Sequence, residues 1–156
     1  MRIKFSVPGQ PRPAGSKRTF AARNKAGVYT GKVGIMDASG QKGRDWREAV
    51  AAAGAEAYRM TADAEYPLLW RGPLRVRMVF CFHRPKSHYR TGRFAATLNR
   101  HAPREMTKTP DALKLARAVE DALSGVIYAD DSQIVAEEIE KHWEDLPRAL
   151  IEIETI

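Results

Sequence analysis

At 156 residues and 17.5 kDa the chain has the length of one compact unit, and residues 1–156 read as a single domain. Hydrophobic residues make up 44%, charged residues 29%, and there are 11 Gly and 9 Pro, which excludes collagen, low-complexity disorder and coiled coil. The net charge of +7 is unevenly laid out: residues 1–47 carry 11 basic and 2 acidic side chains, 48–70 carry 1 and 4, 71–117 carry 12 and 2, and 118–156 carry 2 and 11.

Arg2–Val7 alternates polar and apolar residues and predicts a half-buried strand ending at Pro8-Gly9. Residues 8–44 collect prolines, glycines and basic side chains, and read as a mobile basic loop with a short hairpin around Val28–Asp37. From Arg44 to Met60, Trp46, Ala49, Val50, Ala53, Ala57 and Met60 fall at helical spacing, the mark of an amphipathic helix. Leu74–Phe82 predicts a strand passing from edge to interior, and residues 84–108 a second basic loop without periodicity.

A second helix is expected with Thr109 as N-cap, Pro110 at its first position and a stripe of Ala112, Leu115, Ala116, Val119, Ala122 and Leu123, closed by Gly125. A polar turn at Asp130-Asp131 leads into Gln133–Trp143, whose weak alternation reads as a strand with helix as the open alternative, and Ala149–Ile153 gives a clearer last strand. Strands outnumber helices and hairpins are short, so the fold class is α+β, a mixed or antiparallel sheet with two main helices packed on it.

Two basic blocks beside an acidic quarter make nucleic acid the leading partner class, although charge alone leaves a solvated basic surface equally open. Lys17, Arg18, Lys86, Arg90, Arg93 and Arg100 are the candidate phosphate contacts, with His88, Tyr89 and Phe94 interleaved in the second block. The lone Cys81 reads as a small buried thiol, no stretch approaches 18 apolar residues and the N-terminus has no signal-peptide core, so a cytoplasmic protein without a membrane partner is expected.

The carboxylates Asp111, Glu120, Asp121, Asp130 and Asp131 gather around the second helix and the turn after it. Magnesium takes hard oxygen ligands, usually one or two carboxylates completed by water and substrate phosphate, so a few of these acids suffice for metal-assisted phosphodiester cleavage. Each also has a plain structural reading. Asp111 suits a helix N-terminus, Asp130 and Asp131 suit a turn, and Glu120 reads as a solvated helix residue. His83, His88, His101 and His142 show no shared ligand spacing and are assigned no metal.

The run from Thr109 to Gly125, TPDALKLARAVEDALSG, followed by Tyr128–Val135, YADDSQIV, resembles the signature of RusA-type Holliday junction resolvases: Pro-Asp-x-Asp-(Asn/Lys)-Leu-x-(Lys/Arg), then Asp-Ala-Leu, then Asp-Asp-x-Gln-(Val/Ile). The segments 8–13 and 84–93 also resemble phage members of that family, so the likeness spans most of the chain. It implies a homodimeric, Mg2+-dependent endodeoxyribonuclease that binds branched DNA and resolves four-way junctions. Residue by residue, it implies Asp111, Asp131 and Arg117 as catalytic, with the metal at Asp111, Asp130 and Asp131 and the scissile phosphate held by Arg117.

The chain departs from the pattern at Leu113, where the family usually carries its second motif Asp. That substitution supports a rival reading, a non-cleaving protein of the same fold that binds branched or double-stranded DNA. An RNA-binding sheet domain is a weaker third, because no aromatic-rich strand of the RNA-recognition type is present.

Overall fold

The computed structural model describes residues 1–61 and 68–156, and of residues 17 and 35–37 the backbone alone. Four strands, β1 (Arg2–Pro8), β4 (Leu74–His83), β5 (Ile134–Glu144) and β6 (Arg148–Thr155), form a mixed sheet in the order β1-β6-β4-β5. Neighbours are antiparallel except β4 and β5, which run parallel. A separate antiparallel ribbon pairs β2 (Lys17–Arg23) with β3 (Tyr29–Asp37). Two helices, α1 (Gly40–Thr61) and α2 (Ala112–Leu123), complete the α+β fold expected from the sequence.

Alternation sets the two faces of the sheet. Ile3 pairs with Ile153 and Ile153 with Val76, Phe5 with Ile151 and Ile151 with Met78, Val7 with Ala149 and Ala149 with Phe80, and these rows make the covered face. The same rows continue onto β5 as Glu137, Ile139 and Lys141, so two charged residues share the face with the core. Trp46, Val50 and Tyr58 of α1 and Leu115, Ala116, Ala118, Val119 and Leu123 of α2 are buried in the same core as those strands. The helices approach closely at Gly54, where a methyl group would stand 2.6 Å from Leu123 Cδ2 and 3.2 Å from Ile127 Cδ1.

The opposite face carries charged rows. Arg75 reaches Glu154 at 2.8 Å, Arg77 reaches Glu140 at 2.6 Å and Glu138 at 3.4 Å, Arg148 reaches Glu144 at 2.6 Å, and Arg2 and Lys4 both pair with Glu152. Much of the acidic C-terminal quarter is therefore matched, strand by strand, to bases from distant parts of the chain. Cys81 is fully buried beneath this face, and burial, with Glu144 beside it, pushes its thiol up to about 11.

Three expectations need correction. The basic segment 8–44 is not mostly loop: it holds the whole β2–β3 ribbon, on which the Phe20 ring covers Gly34 so closely that any side chain there would collide with it, and the first turn of α1. Helix α2 starts at Ala112 with Asp111 at the N-cap, two residues later than Thr109 and Pro110 would give. The reason lies across the gap on β5, where Lys141 Nζ donates to the carbonyls of both Lys108 and Pro110 at 2.9 Å and holds them outside the helical ladder. Residues 84–108 are also organised, with short turns at Lys86–His88 and Gly92–Phe94 and a bridge between Tyr89 and Leu98. Among the described residues no helix is long and apolar enough to cross a membrane.

Candidate nucleic-acid cleavage site

The chemistry-bearing residues of the chain sit around α2, and its geometry decides which of them meet. Lys141 touches the helix entry, whereas Glu137, four residues earlier on β5, faces Glu120 near the helix end, so α2 runs antiparallel to β5. Nine residues of helix span about 13.5 Å, and four residues of strand span about 13 Å. The two rulers agree, and they put Asp111 and Glu120 at opposite ends of the element.

Asp111 is exposed at the N-cap without donating or accepting a capping hydrogen bond. Its Oδ2 lies 3.5 Å from Lys114 Nζ, and both line a cavity of about 380 Å3 closed by residues 10–13. Asp131 belongs to the other end. It borders a cavity of about 290 Å3 together with Glu120, Ser132 and Glu137. The trio of Asp111, Asp130 and Asp131 expected from the sequence is thus divided along the length of α2.

Asp130 is committed locally. Its Oδ1 accepts from Ser132 N at 2.9 Å, and hydrogen bonds from the Ser132 side chain and then its backbone hold the Asp130 carboxyl below the usual carboxylate range. Gln133 completes the turn: its Oε1 accepts from the backbone of Ala129 and Asp130, and its Nε2 donates to the carbonyls of Trp70 and Gly72, each at about 3.0 Å. The Asp-Asp-Ser-Gln run is therefore a pinned corner that aims Asp131 at Glu120.

Sequence reasoning passed over Glu137 and read Glu120 as a solvated helix residue. Glu120 is half-buried, and burial, then Glu137, Asp131 and Asp121 around it, push its carboxyl up to about 7. A signal was present in the sequence, since position 120 is four residues after Ala116 and three before Leu123, both of them buried. Like charges brought together in a partly dry place stay protonated to higher pH unless a cation joins them. The neighbouring Tyr128, buried under the same group with its hydroxyl donating to Glu120 O at 3.2 Å, is raised well above its ordinary value by burial and by Glu120.

The donor set is all hard oxygen. Among the described residues no three His, Cys, Asp or Glu side chains are closed around a metal position, and magnesium does not need such a cage: one or two carboxylates with water and substrate phosphate complete its shell. Asp131, Glu120 and Glu137 supply donors of that chemical type around one cavity.

Arg117 is exposed on the flank of α2, on the same helical face as Lys114 and Asp121. The candidate DNA contacts lie further out. Arg18, Lys86, Arg90, Arg93 and Arg100 are all exposed, and the Lys17 side chain lies outside the described residues. Arg90 and Arg93 both lie over the exposed Phe94 ring, 4.6 and 4.8 Å from its centroid, which holds two guanidiniums together on the loop. His88 instead turns inward, edge-on to Trp143 at 5.3 Å, and burial beside Lys108 and Arg84 lowers its pKa.

The family model described as "Endodeoxyribonuclease RusA" matches residues 8–154. A Bacillus subtilis (strain 168) protein described as "Uncharacterized protein YqaN" is 27% identical over 155 residues, covering 99% of this chain and 96% of its own. With all but the first seven and last two residues matched, the chain belongs to the RusA family of endodeoxyribonucleases.

Proposed function

We propose that this protein is a divalent-metal-dependent endodeoxyribonuclease that binds four-way DNA junctions and resolves them by phosphodiester hydrolysis. The observation that carries the reading is a repelling carboxylate group, Glu120 of α2 with Asp131 and Glu137 beside it, next to a cationic flank of the same helix at Lys114 and Arg117. Asp131, with Glu120 or Glu137, would hold Mg2+ completed by water and substrate phosphate, and Arg117 would bind the phosphate whose charge grows during attack. The bound metal supplies phosphate neutralisation and an activated water. Asp111, at the far end of α2, contacts the DNA-facing side of the entry rather than the metal held by Asp131.

A homodimer is part of the proposal, because a four-way junction offers two symmetry-related scission points and a two-fold pair of chains puts one site at each. Sedimentation is expected to give about 35 kDa, twice the chain mass of 17.5 kDa. A monomer at every concentration, with and without DNA, removes the paired-incision element.

One observation favours the second reading. Leu113 is 73% exposed on the first turn of α2, an apolar side chain presented to solvent where the family motif carries an acid. A protein that holds junctions without cutting them is the result if that acid is indispensable. Incubating the purified chain with a labelled four-way junction, with Mg2+ and with a chelator, separates the two: nicked products that need metal support the nuclease, and a shifted but intact junction supports the binder.

A further inference from the structure

The flank of α2 holds a cavity of about 420 Å3 in which the motif residues Lys114, Arg117 and Asp121 meet residues from outside the motif. Lys114, Arg117 and Asp121 project into it from α2 at i, i+3 and i+7, Arg47 enters from α1, and the backbone at Ala14–Ser16 closes the third side. That loop is fastened to the helix, Ala14 N donating to Lys114 O at 2.7 Å. Arg47 follows the buried Trp46, and α1 is locked against the last turn of α2 at Gly54. The three cations are thus mounted on elements that cannot drift apart without opening the core.

We propose that Arg47, Lys114 and Arg117 form a seat for one backbone phosphodiester of DNA, beside the carboxylate cavity, with Asp121 as a built-in competing anion. The proposal rests on the nuclease reading for the class of polymer and adds to it Arg47, Lys114 and the loop at Ala14–Ser16. Among the described lining residues three cations face one carboxylate, two of the cations are guanidinium forks suited to paired phosphate oxygens, and there is no aromatic ring on which a base could stack, which argues for the phosphate rather than the base. Such a contact positions the strand without reading its sequence. Glu120 and Asp121 are consecutive, so α2 is a common wall between the seat and the carboxylate cavity, and a strand held in one passes the other.

Fluorescence anisotropy on a short linear duplex and on a four-way junction, in chelator and across about 50 to 200 mM salt, tests the seat by counting released counterions. Arg47→Gln should make the log-log salt slope shallower by about 0.9, which is about eightfold weaker binding at 0.1 M salt relative to 1 M. Arg47→Lys should restore the slope, Asp121→Asn should tighten binding, and Arg59→Gln, at the exposed end of the same helix, should leave it unchanged. Lys114→Gln, whose side chain is 55% exposed, repeats the test where folding is not at stake. Slopes unchanged in both Arg47→Gln and Lys114→Gln overturn the seat, as does a loss that Arg47→Lys fails to rescue. If wild-type protein cuts junctions while those slopes stay put, the seat alone falls. A slope that changes as stated in a protein that never cuts with metal keeps the seat and removes the nuclease reading.

Discussion

Glu120→Gln probes the repulsion at the carboxylate group directly. Carrying a carboxyl from 4.5 up to about 7 corresponds to about 3 kcal/mol, and because the group is partly open to water, screening brings the expected effect to about 1–2 kcal/mol. The folded chain keeps this proton to higher pH than the unfolded chain does. Between pH 4.5 and about 7 it therefore binds more protons than the unfolded state, so the stability associated with neutral Glu120 is present at low pH and lost across that window. Denaturant unfolding in chelator, run on both proteins across pH, isolates the term as a difference. Wild type and Glu120→Gln should match below pH 4.5, and the variant should be more stable by about 1–2 kcal/mol above about pH 8. Added Mg2+ should narrow the gap at high pH by stabilising the wild type. A variant that is less stable than wild type above pH 8 refutes the placement of Glu120 among uncompensated acids.

Gly54→Ala gains about 1 kcal/mol of helix propensity, but its methyl meets Leu123 and Ile127, so a net loss of about 1–2 kcal/mol in chemical denaturation is expected. Gln133→Ala removes four hydrogen bonds from the Asp-Asp-Ser-Gln corner and should cost about 2–3 kcal/mol, with junction cleavage falling because Asp131 loses its aim. Leu113→Asp replaces an exposed side chain near a helix N-terminus, where a carboxylate is favoured by about 0.3–1 kcal/mol, so thermal melting should show no loss of stability. In the same variant Mg2+-dependent cleavage should rise if the missing motif acid limits the rate.

The helix stripe of α2, its closing Gly125 at φ 76°, the three main-sheet strands after α1 and the Asp-Asp turn were legible because each is a local pattern. What failed were inferences from proximity along the chain. Along the chain the acidic quarter stands apart from the basic blocks, yet Glu138, Glu140, Glu144, Glu152 and Glu154 meet Arg75, Arg77, Arg148, Arg2 and Lys4 in the sheet, a pairing fixed mostly by register and not by spacing. Asp111 and Asp131 looked like partners through their shared motif, but a rigid helix holds them apart. The β2–β3 ribbon was half hidden because its strands bury little and its pairing shifts register between Ala21 and Arg23, leaving no clean alternation to read. Glu120 was legible only jointly with the buried positions on either side of it and with Glu137, seventeen residues further along the chain.

Asp131→Asn on a labelled four-way junction bears most directly on the claim that a metal held at the Asp131 end of α2 cuts DNA. The substitution removes ligating charge and adds no repulsion to the phosphates, so binding should stay level or tighten while Mg2+-dependent nicking is lost. Wild-type protein on the same gel should cut with Mg2+ and stop in chelator. Cleavage that is equal in both proteins and indifferent to chelator would contradict the claim and leave the carboxylates around Glu120 a structural feature.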